Sequence, residues 1–286
     1  MYLLLVVYCI VIATASVFGG SLPQFVKFTH RRVQFVISFV SGVMLGVALL
    51  HLLPHSIVEL GRVSNAMLTC LAGLLAMFFL IRLFNFHSHD TGSECEQPHE
   101  HSQSCQGLHA HVAEPVPKHG HAERPISWIG LCIGLGLHTL LDGLALAAAF
   151  QVESGHGRWA GLGTFLAIAL HKPLDAFAIT ALMKARGWNA KQQTIVNLVF
   201  ATVCPLGALL FIVSLNQIVD YQSIVLGLAL AFSAGVFLCI SLGDLLPEVH
   251  FHSHDRVWLS VMLLLGVAVA FGIEQLPGHS HDVLVK

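Results

Sequence analysis

The same His/Asp spacing occurs in two neighbouring apolar stretches of the sequence. His138 is followed four residues later by Asp142, and His171 is followed four residues later by Asp175. Residues four apart lie on one face of a helix, so each pair would present an imidazole beside a carboxylate. Two imidazoles and two carboxylates form a nitrogen and oxygen ligand set that suits a four-coordinate, zinc-like ion. The two carboxylates would also neutralise a divalent cation.

A lysine, Lys172, directly follows His171. Its ammonium group would be costly at the centre of an apolar helix without an anionic partner, and Asp142 and Asp175 are the nearest candidates in sequence. Beside two carboxylates the amine can either stay charged or lose its proton through desolvation. We expect it to stay charged and to stand in for a second metal ion. Snorkelling to the membrane surface is the alternative.

The composition places these residues in a membrane protein. Of 286 residues, 55% are hydrophobic and 10% are charged, whereas soluble domains have roughly 25% charged residues. A hydrocarbon core about 30 Å thick needs roughly 20 mostly apolar residues per helix. We therefore predict an all-α integral membrane protein, a single transmembrane domain over residues 1–286 with eight transmembrane helices. The predicted spans are residues 2–22, 33–53, 66–86, 126–150, 159–183, 194–219, 223–247 and 257–276.

His138 and His171 lie halfway along the fourth and fifth predicted spans. Ionisable groups at that depth are expensive, so they need partners and indicate function. Pro173 should also kink the fifth span, because it cannot donate a hydrogen bond to the carbonyl of Ala169. A pair of structural His–Asp hydrogen bonds between helices is the alternative to a metal site.

The basic residues predict the orientation. Most Lys and Arg residues lie in one set of alternate loops, which includes residues 27–32, 118–124 and 184–191, whereas Arg62, Arg158 and Lys286 belong to the other set. Because basic residues accumulate on the cytosolic side, both termini should face away from the cytosol. The sequence does not predict which cellular membrane holds the protein.

An internal repeat predicts the architecture. The stretch from Gly42 to His55 ends in HLLPH and matches the stretch from Gly235 to Glu248, which ends in DLLPE. The copies lie in spans two and seven, an odd number of spans apart, so they should run in opposite directions. We expect a 3+2+3 arrangement in which spans 1–3 and 6–8 form an inverted repeat around a site near the membrane midplane.

The two repeat motifs carry ligand-type residues near opposite ends of their spans. In the predicted orientation His51 and His55 face the non-cytosolic side, and Asp244 and Glu248 face the cytosolic side. We interpret them as the two mouths of a pathway. A residue that simply sits at the membrane interface is the alternative at each position.

The loop between spans three and four is rich in histidine. Residues 87–125 lose apolar periodicity and are predicted to be a disordered cytosolic loop. Imidazole pairs of the His-x-His type favour metal binding over a solvated polar linker. The candidate ligands are His87, His89, His99, His101, His109, His111, His119 and His121.

Two other function classes compete with metal transport. Histidines on facing helices can hold haem in a membrane oxidoreductase, but this leaves the aspartates and the loop unexplained. His/Asp ligands can also activate water in a membrane metallohydrolase, but the sequence offers no separate general base.

Taken together, these features resemble the ZIP (Zrt/Irt-like) family of divalent metal transporters across essentially the whole chain. The family's fourth-span pattern, His-Asn-x-x-Asp/Glu-Gly, resembles residues 138–143, HTLLDG, and its fifth-span pattern resembles residues 171–175, HKPLD. The sixth-span Glu-Pro-x-Gly-Ala resembles residues 204–208, CPLGA. Family members with two adjacent metals use three positions that are here Thr139, Lys172 and Cys204. The resemblance therefore implies one transported metal ion rather than two.

The resemblance also implies a carrier and not an enzyme, with no prosthetic group. It implies transport into the cytosol by alternating access of a four-helix core against the repeat-derived helices. Zn²⁺ is the expected substrate, and Fe²⁺, Mn²⁺ and Cd²⁺ remain open, as does proton coupling. We expect metal ions and the lipid bilayer as partners and no nucleic acid, and we leave homodimerisation open.

Overall fold

A computed structural model describes residues 2–25, 30–84, 128–155, 159–251 and 256–275. Within these ranges the chain forms helices and no strands. The α-helices are α1 (Leu3–Phe25), α2 (His30–Val47), α3 (Leu53–Leu60), α4 (Val63–Phe84), α5 (Trp128–Glu153), α6 (Leu162–Ala185), α7 (Ala190–Asn216), α8 (Gln222–Phe251) and α9 (Arg256–Glu274). The predicted His-rich loop at 87–125 lies outside the described residues.

Eight segments of the described chain are long and apolar enough to cross a membrane. This confirms the predicted all-α fold with eight spans. Helices α2 and α3 together make the second span, Gln34–Leu60, joined by a π-helical turn at Ala48–Leu52. The predicted end of this span at residue 53 is too early. The helix continues because the turn re-forms the backbone bonding with a donation from Leu53 N–H to the Ala48 carbonyl, and Pro54 then falls in the first turn of α3, where a proline needs no donor.

The helix packing has an internal two-fold relation. Helix α2 packs most extensively on α9, and the corresponding helix of the other repeat, α8, packs on α4. In the same way α1 packs on α6, and its counterpart α7 packs on α5. Spans 1–3 and 6–8 therefore form equivalent halves around α5 and α6, as the repeat predicted.

Glycines at the helix crossings show the same two-fold relation in their contacts with facing backbone carbonyls. A Cβ at Gly42 would overlap the carbonyl oxygen of Leu263, and a Cβ at Gly235 would overlap that of Cys70. The offset in residue number from Gly42 to Gly235 equals the offset from Cys70 to Leu263, so the two contacts occupy equivalent positions in the two repeats. The same offset relates Gly73 against Phe232 to Gly266 against Phe39. The backbones touch at all four positions, which is how small residues bring membrane helices together.

The helices also divide into two groups. Most contacts fall within a first group formed by α1, α5, α6 and α7 or within a second formed by α2, α3, α4, α8 and α9, while α5 also contacts α8 and α6 also contacts α2 between the groups. Within the first group α5 lies directly against α7, because Gly143 and Gly207 leave room for the facing backbones of Cys204 and Leu140. Helix α6 is held by α1, where Gly19 meets Pro173. These contacts fix the positions of α5 and α6.

Candidate metal centre

The structure brings the four predicted ligands together. His138 and Asp142 lie on α5, His171 and Asp175 lie on α6, and one ligand atom from each lies within 4.8 Å of all the others. Each His/Asp pair straddles the middle of its helix. His138, Asp142 and His171 are buried, whereas the Asp175 side chain is 17% exposed. The cluster therefore opens to its surroundings on the Asp175 side.

Asp142 occupies the centre of the cluster. Its Oδ2 lies 3.4 Å from Nε2 of His138 and 3.4 Å from Nε2 of His171. The Oδ2 of Asp175 lies farther away, at 3.8 Å and 3.9 Å from the same two nitrogens. Gaps of this size between nitrogen and oxygen atoms leave room for a bridging ion with bonds of about 2.0 to 2.2 Å.

The imidazoles are oriented for ligation. The Nδ1–H of His171 donates to the Ala167 carbonyl at 2.8 Å, so its Nε2 lone pair is directed into the cluster, an arrangement typical of metal-bound histidines. In the described part of the chain, neither ring nitrogen of His138 has a hydrogen-bond partner, and neither does Oδ1 of Asp142. Buried polar atoms in proteins are nearly always satisfied. Unsatisfied donors and acceptors at this position fit a site that binds an ion.

The ammonium group of Lys172 hydrogen-bonds to the carboxylates of both Asp142 and Asp175. Its Nζ donates a hydrogen bond to Asp142 Oδ2 and another, of 3.0 Å, to Asp175 Oδ2. The side chain is 1% exposed, so snorkelling to the surface is excluded in this conformation. The nitrogen also lies 5.7 Å from the ring centroid of Phe200, within the range of a cation–π interaction.

The other two positions that differ from binuclear family members lie on α5 and α7. The Thr139 hydroxyl donates to the Leu135 carbonyl of its own helix at 2.6 Å. Cys204 is 1% exposed on α7, where its backbone contacts Gly143. Lys172 is thus the one of the three that reaches the carboxylates in the described structure.

The family model for the ZIP zinc transporter matches residues 2–274. The chain belongs to the ZIP family. This membership confirms the resemblance seen in the motifs. A ZIP family member is an integral, multi-pass membrane protein, and the relatives given below are named as transporters. The haem-protein and hydrolase alternatives are therefore not favoured.

Several zinc transporters are similar to this ZIP family member. Human "Zinc transporter ZIP4" is 29% identical over 278 residues, covering 82% of this chain and 41% of that protein. "Zinc transporter ZIP9" of Micropogonias undulatus is 33% identical over 135 residues, covering 46% and 42%. Mouse "Zinc transporter ZIP10" is 32% identical over 125 residues, covering 43% and 14%. The chain thus matches less than half the length of each of these relatives.

This ZIP family member has a second cluster that the sequence only half predicted. His51 and His55, proposed as one pathway mouth, lie together with Glu153 at the end of α5. Glu274, at the end of α9, also contacts His51. Neither glutamate is among the ligands predicted from the sequence. The available signal was that each lies near the end of an even-numbered predicted span, as does the HLLPH motif, so all of them are expected on one membrane side.

The opposite predicted mouth is formed by residues of the second repeat motif. Asp244 and Glu248 lie on α8, but their side chains are outside the described residues. The eight loop histidines also lie outside the described ranges. These assignments stay predictions.

Proposed function

We propose that this protein carries a divalent transition metal, with Zn²⁺ as the main substrate, across the membrane through the site of His138, Asp142, His171 and Asp175. The observation that carries the proposal is the convergence of two His/Asp pairs from adjacent helices within 4.8 Å. Imidazole and carboxylate ligands suit Zn²⁺, and they also admit Fe²⁺, Mn²⁺ and Cd²⁺.

We infer that the site holds one metal ion at a time. Two aspartates supply two negative charges, and the Lys172 ammonium already neutralises part of that charge through its two hydrogen bonds. A buried cation fixed on the two carboxylates takes the role that a second ion would otherwise have. One divalent ion bound between the imidazoles and the carboxylates then leaves a single excess positive charge, and a second divalent ion would add two more.

Transport into the cytosol is the direction we propose. The distribution of basic residues supports cytosolic placement of the His-rich loop and non-cytosolic termini. The grouping of the helices supports alternating access, because the group of α1, α5, α6 and α7 carries the site and can move as a unit against the group of α2, α3, α4, α8 and α9. The glycine contacts keep α5 and α7 together during such a movement.

The test is zinc uptake into proteoliposomes that contain the full-length protein. We expect uptake by the wild type and none by His171→Ala, because that change removes a ligand held in place by Ala167. Lys172→Ala should keep transport but change metal preference or stoichiometry. Lys184→Ala is the matched control, since Lys184 lies on the same helix and is exposed outside the cluster.

No metal uptake by folded wild-type protein in either orientation would overturn the proposal. Soret absorption by bound pigment or turnover of a lipid or peptide would then support the haem or hydrolase class instead. Unchanged uptake by His171→Ala would keep a transporter but reject this site.

A further inference from the structure

Side chains from three spans meet near the C-terminal ends of α5 and α9, away from the mid-membrane site. His51 and His55 come from span two, Glu153 ends α5 and Glu274 ends α9. His51 and Glu153 are each 2% exposed. Asp142 and Glu153 share α5 and are separated by about 16 Å along its axis at roughly 1.5 Å per residue. The two clusters are therefore separate.

Both ring nitrogens of His51 face carboxylates. Its Nδ1 lies 2.7 Å from Oε2 of Glu274, and its Nε2 lies 2.9 Å from Oε1 of Glu153. A neutral imidazole has one N–H and can donate to only one of them. With the proton on Nδ1, donation to Glu274 leaves the Nε2 lone pair directed at Glu153, and a metal ion can then bind at the position that the second proton of an imidazolium would occupy. Metal-bound histidines commonly have this carboxylate partner on the other nitrogen.

Glu153 is held with its Oε1 directed toward the two imidazoles. Its Oε2 accepts a hydrogen bond from the Gly161 N–H at 2.8 Å, and Gly161 adopts a left-handed backbone with φ of +74°. The other oxygen, Oε1, lies 2.9 Å from His51 Nε2 and 3.9 Å from His55 Nε2. Two imidazole nitrogens thus converge on one oriented carboxylate oxygen.

The backbone around His51 restricts its ring. The residue lies in the π-helical turn at Ala48–Leu52, and such turns are frequent at functional sites. The ring packs against Gly163 of α6, where an added Cβ would lie 3.2 Å from the His51 Cδ2. A fixed imidazole loses little entropy on binding an ion.

We propose that His51, His55 and Glu153 form a second, mononuclear site for a divalent ion of the Zn²⁺ and Cd²⁺ type, with Glu274 as the positioning residue that holds His51. Three protein ligands leave a coordination position open, so the ion can exchange. Its role as the site that captures metal before the mid-membrane site rests on the proposed function, whereas ion binding itself does not.

The test uses the full-length protein with His55→Cys, in a His171→Ala background that disables the mid-membrane site. The probe is Cd²⁺, which a thiolate binds well. We measure how fast a small, water-soluble methanethiosulfonate labels the introduced thiol, after subtracting labelling of the parent protein. We expect Cd²⁺ to protect this thiol, and a Cd²⁺–thiolate absorption band to appear above that of the parent protein.

Further variants assign the ligands. Glu153→Gln should raise the half-protecting Cd²⁺ concentration more than tenfold, and Glu274→Gln should raise it by roughly 10- to 100-fold, as for partners behind a metal ligand. Glu59→Gln is the matched control, because Glu59 lies on α3 beside Gly227 and outside the cluster. It should leave protection unchanged.

Equal labelling with and without Cd²⁺, together with no additional absorption band, would overturn the inference. The four side chains would then form ion pairs that hold three spans together and bind no metal ion. This result with normal zinc uptake by the wild type would reject the second site alone. Protection that persists when the wild type shows no uptake would reject the transport proposal alone.

Discussion

The ammonium group of Lys172 on α6 donates a hydrogen bond to the carboxylate of Asp142 on α5, with both side chains buried. A second bond to Asp175 makes the lysine a bridge between two carboxylates. Its positive charge therefore stabilises two anions that would otherwise be uncompensated before metal binds.

Replacing this lysine should make the protein depend on metal for stability. Lys172→Met leaves buried carboxylates without their cation, a change that typically costs about 3–5 kcal/mol. We expect a lower thermal unfolding midpoint in chelator, and a larger rise on adding Zn²⁺ than in the wild type. Lys184→Met on the exposed part of α6 should show neither effect. Equal stabilisation of both variants and the wild type by Zn²⁺ would contradict the surrogate-cation proposal.

The two aspartates should contribute unequally. Asp142 lies closer to both imidazoles and is fully buried, whereas Asp175 is 17% exposed. Asp142→Asn should abolish uptake, and Asp175→Asn should raise the Zn²⁺ concentration needed for half-maximal uptake by about tenfold while retaining flux at high metal. Initial uptake rates over a range of Zn²⁺ concentrations distinguish the two. The reverse order of severity would mean that the ion binds nearer Asp175.

The contact between α5 and α7 should be needed to hold the site. An added methyl group in Gly143→Ala would overlap the Cys204 carbonyl and lie 2.7 Å from the Ala208 nitrogen. Crowding of this kind costs about 1–3 kcal/mol and should shift Asp142, so uptake should fall with stability. Gly136→Ala, on the same helix with no facing atom within 4 Å, should be neutral or stabilising by up to about 1 kcal/mol. Thermal unfolding and uptake measured on both variants check this, and equal behaviour would refute it.

The repeat predicts equal effects at equivalent positions. Gly42 and Gly235 face the carbonyls of Leu263 and Cys70 in matching contacts, so Gly42→Ala and Gly235→Ala should destabilise the protein similarly, by about 1–3 kcal/mol each. Gly243→Ala, with no facing atom within 4 Å, is the control. Destabilisation by only one of the pair, measured by thermal unfolding, would show that the halves pack differently.

The sequence alone determined the properties that depend on neighbours along the chain. Apolar runs gave the eight spans, since bilayer thickness sets helix length. The four-residue spacing placed His138 with Asp142 and His171 with Asp175 on single helix faces. The gap-free match of HLLPH with DLLPE is enough to indicate the two equivalent halves.

Only the tertiary structure decided which helix faces and helix ends meet. Glu153 and Glu274 are far from His51 in sequence, yet their carboxylates contact its two ring nitrogens. Apolar periodicity also ended span two too early, because polar residues such as His51 interrupt the pattern while the π-helical turn lets the helix continue. Local hydropathy predicts the bounds of each helix separately. Contacts between side chains of different helices depend instead on the distance between the helix backbones, and glycines far apart in the chain set that distance.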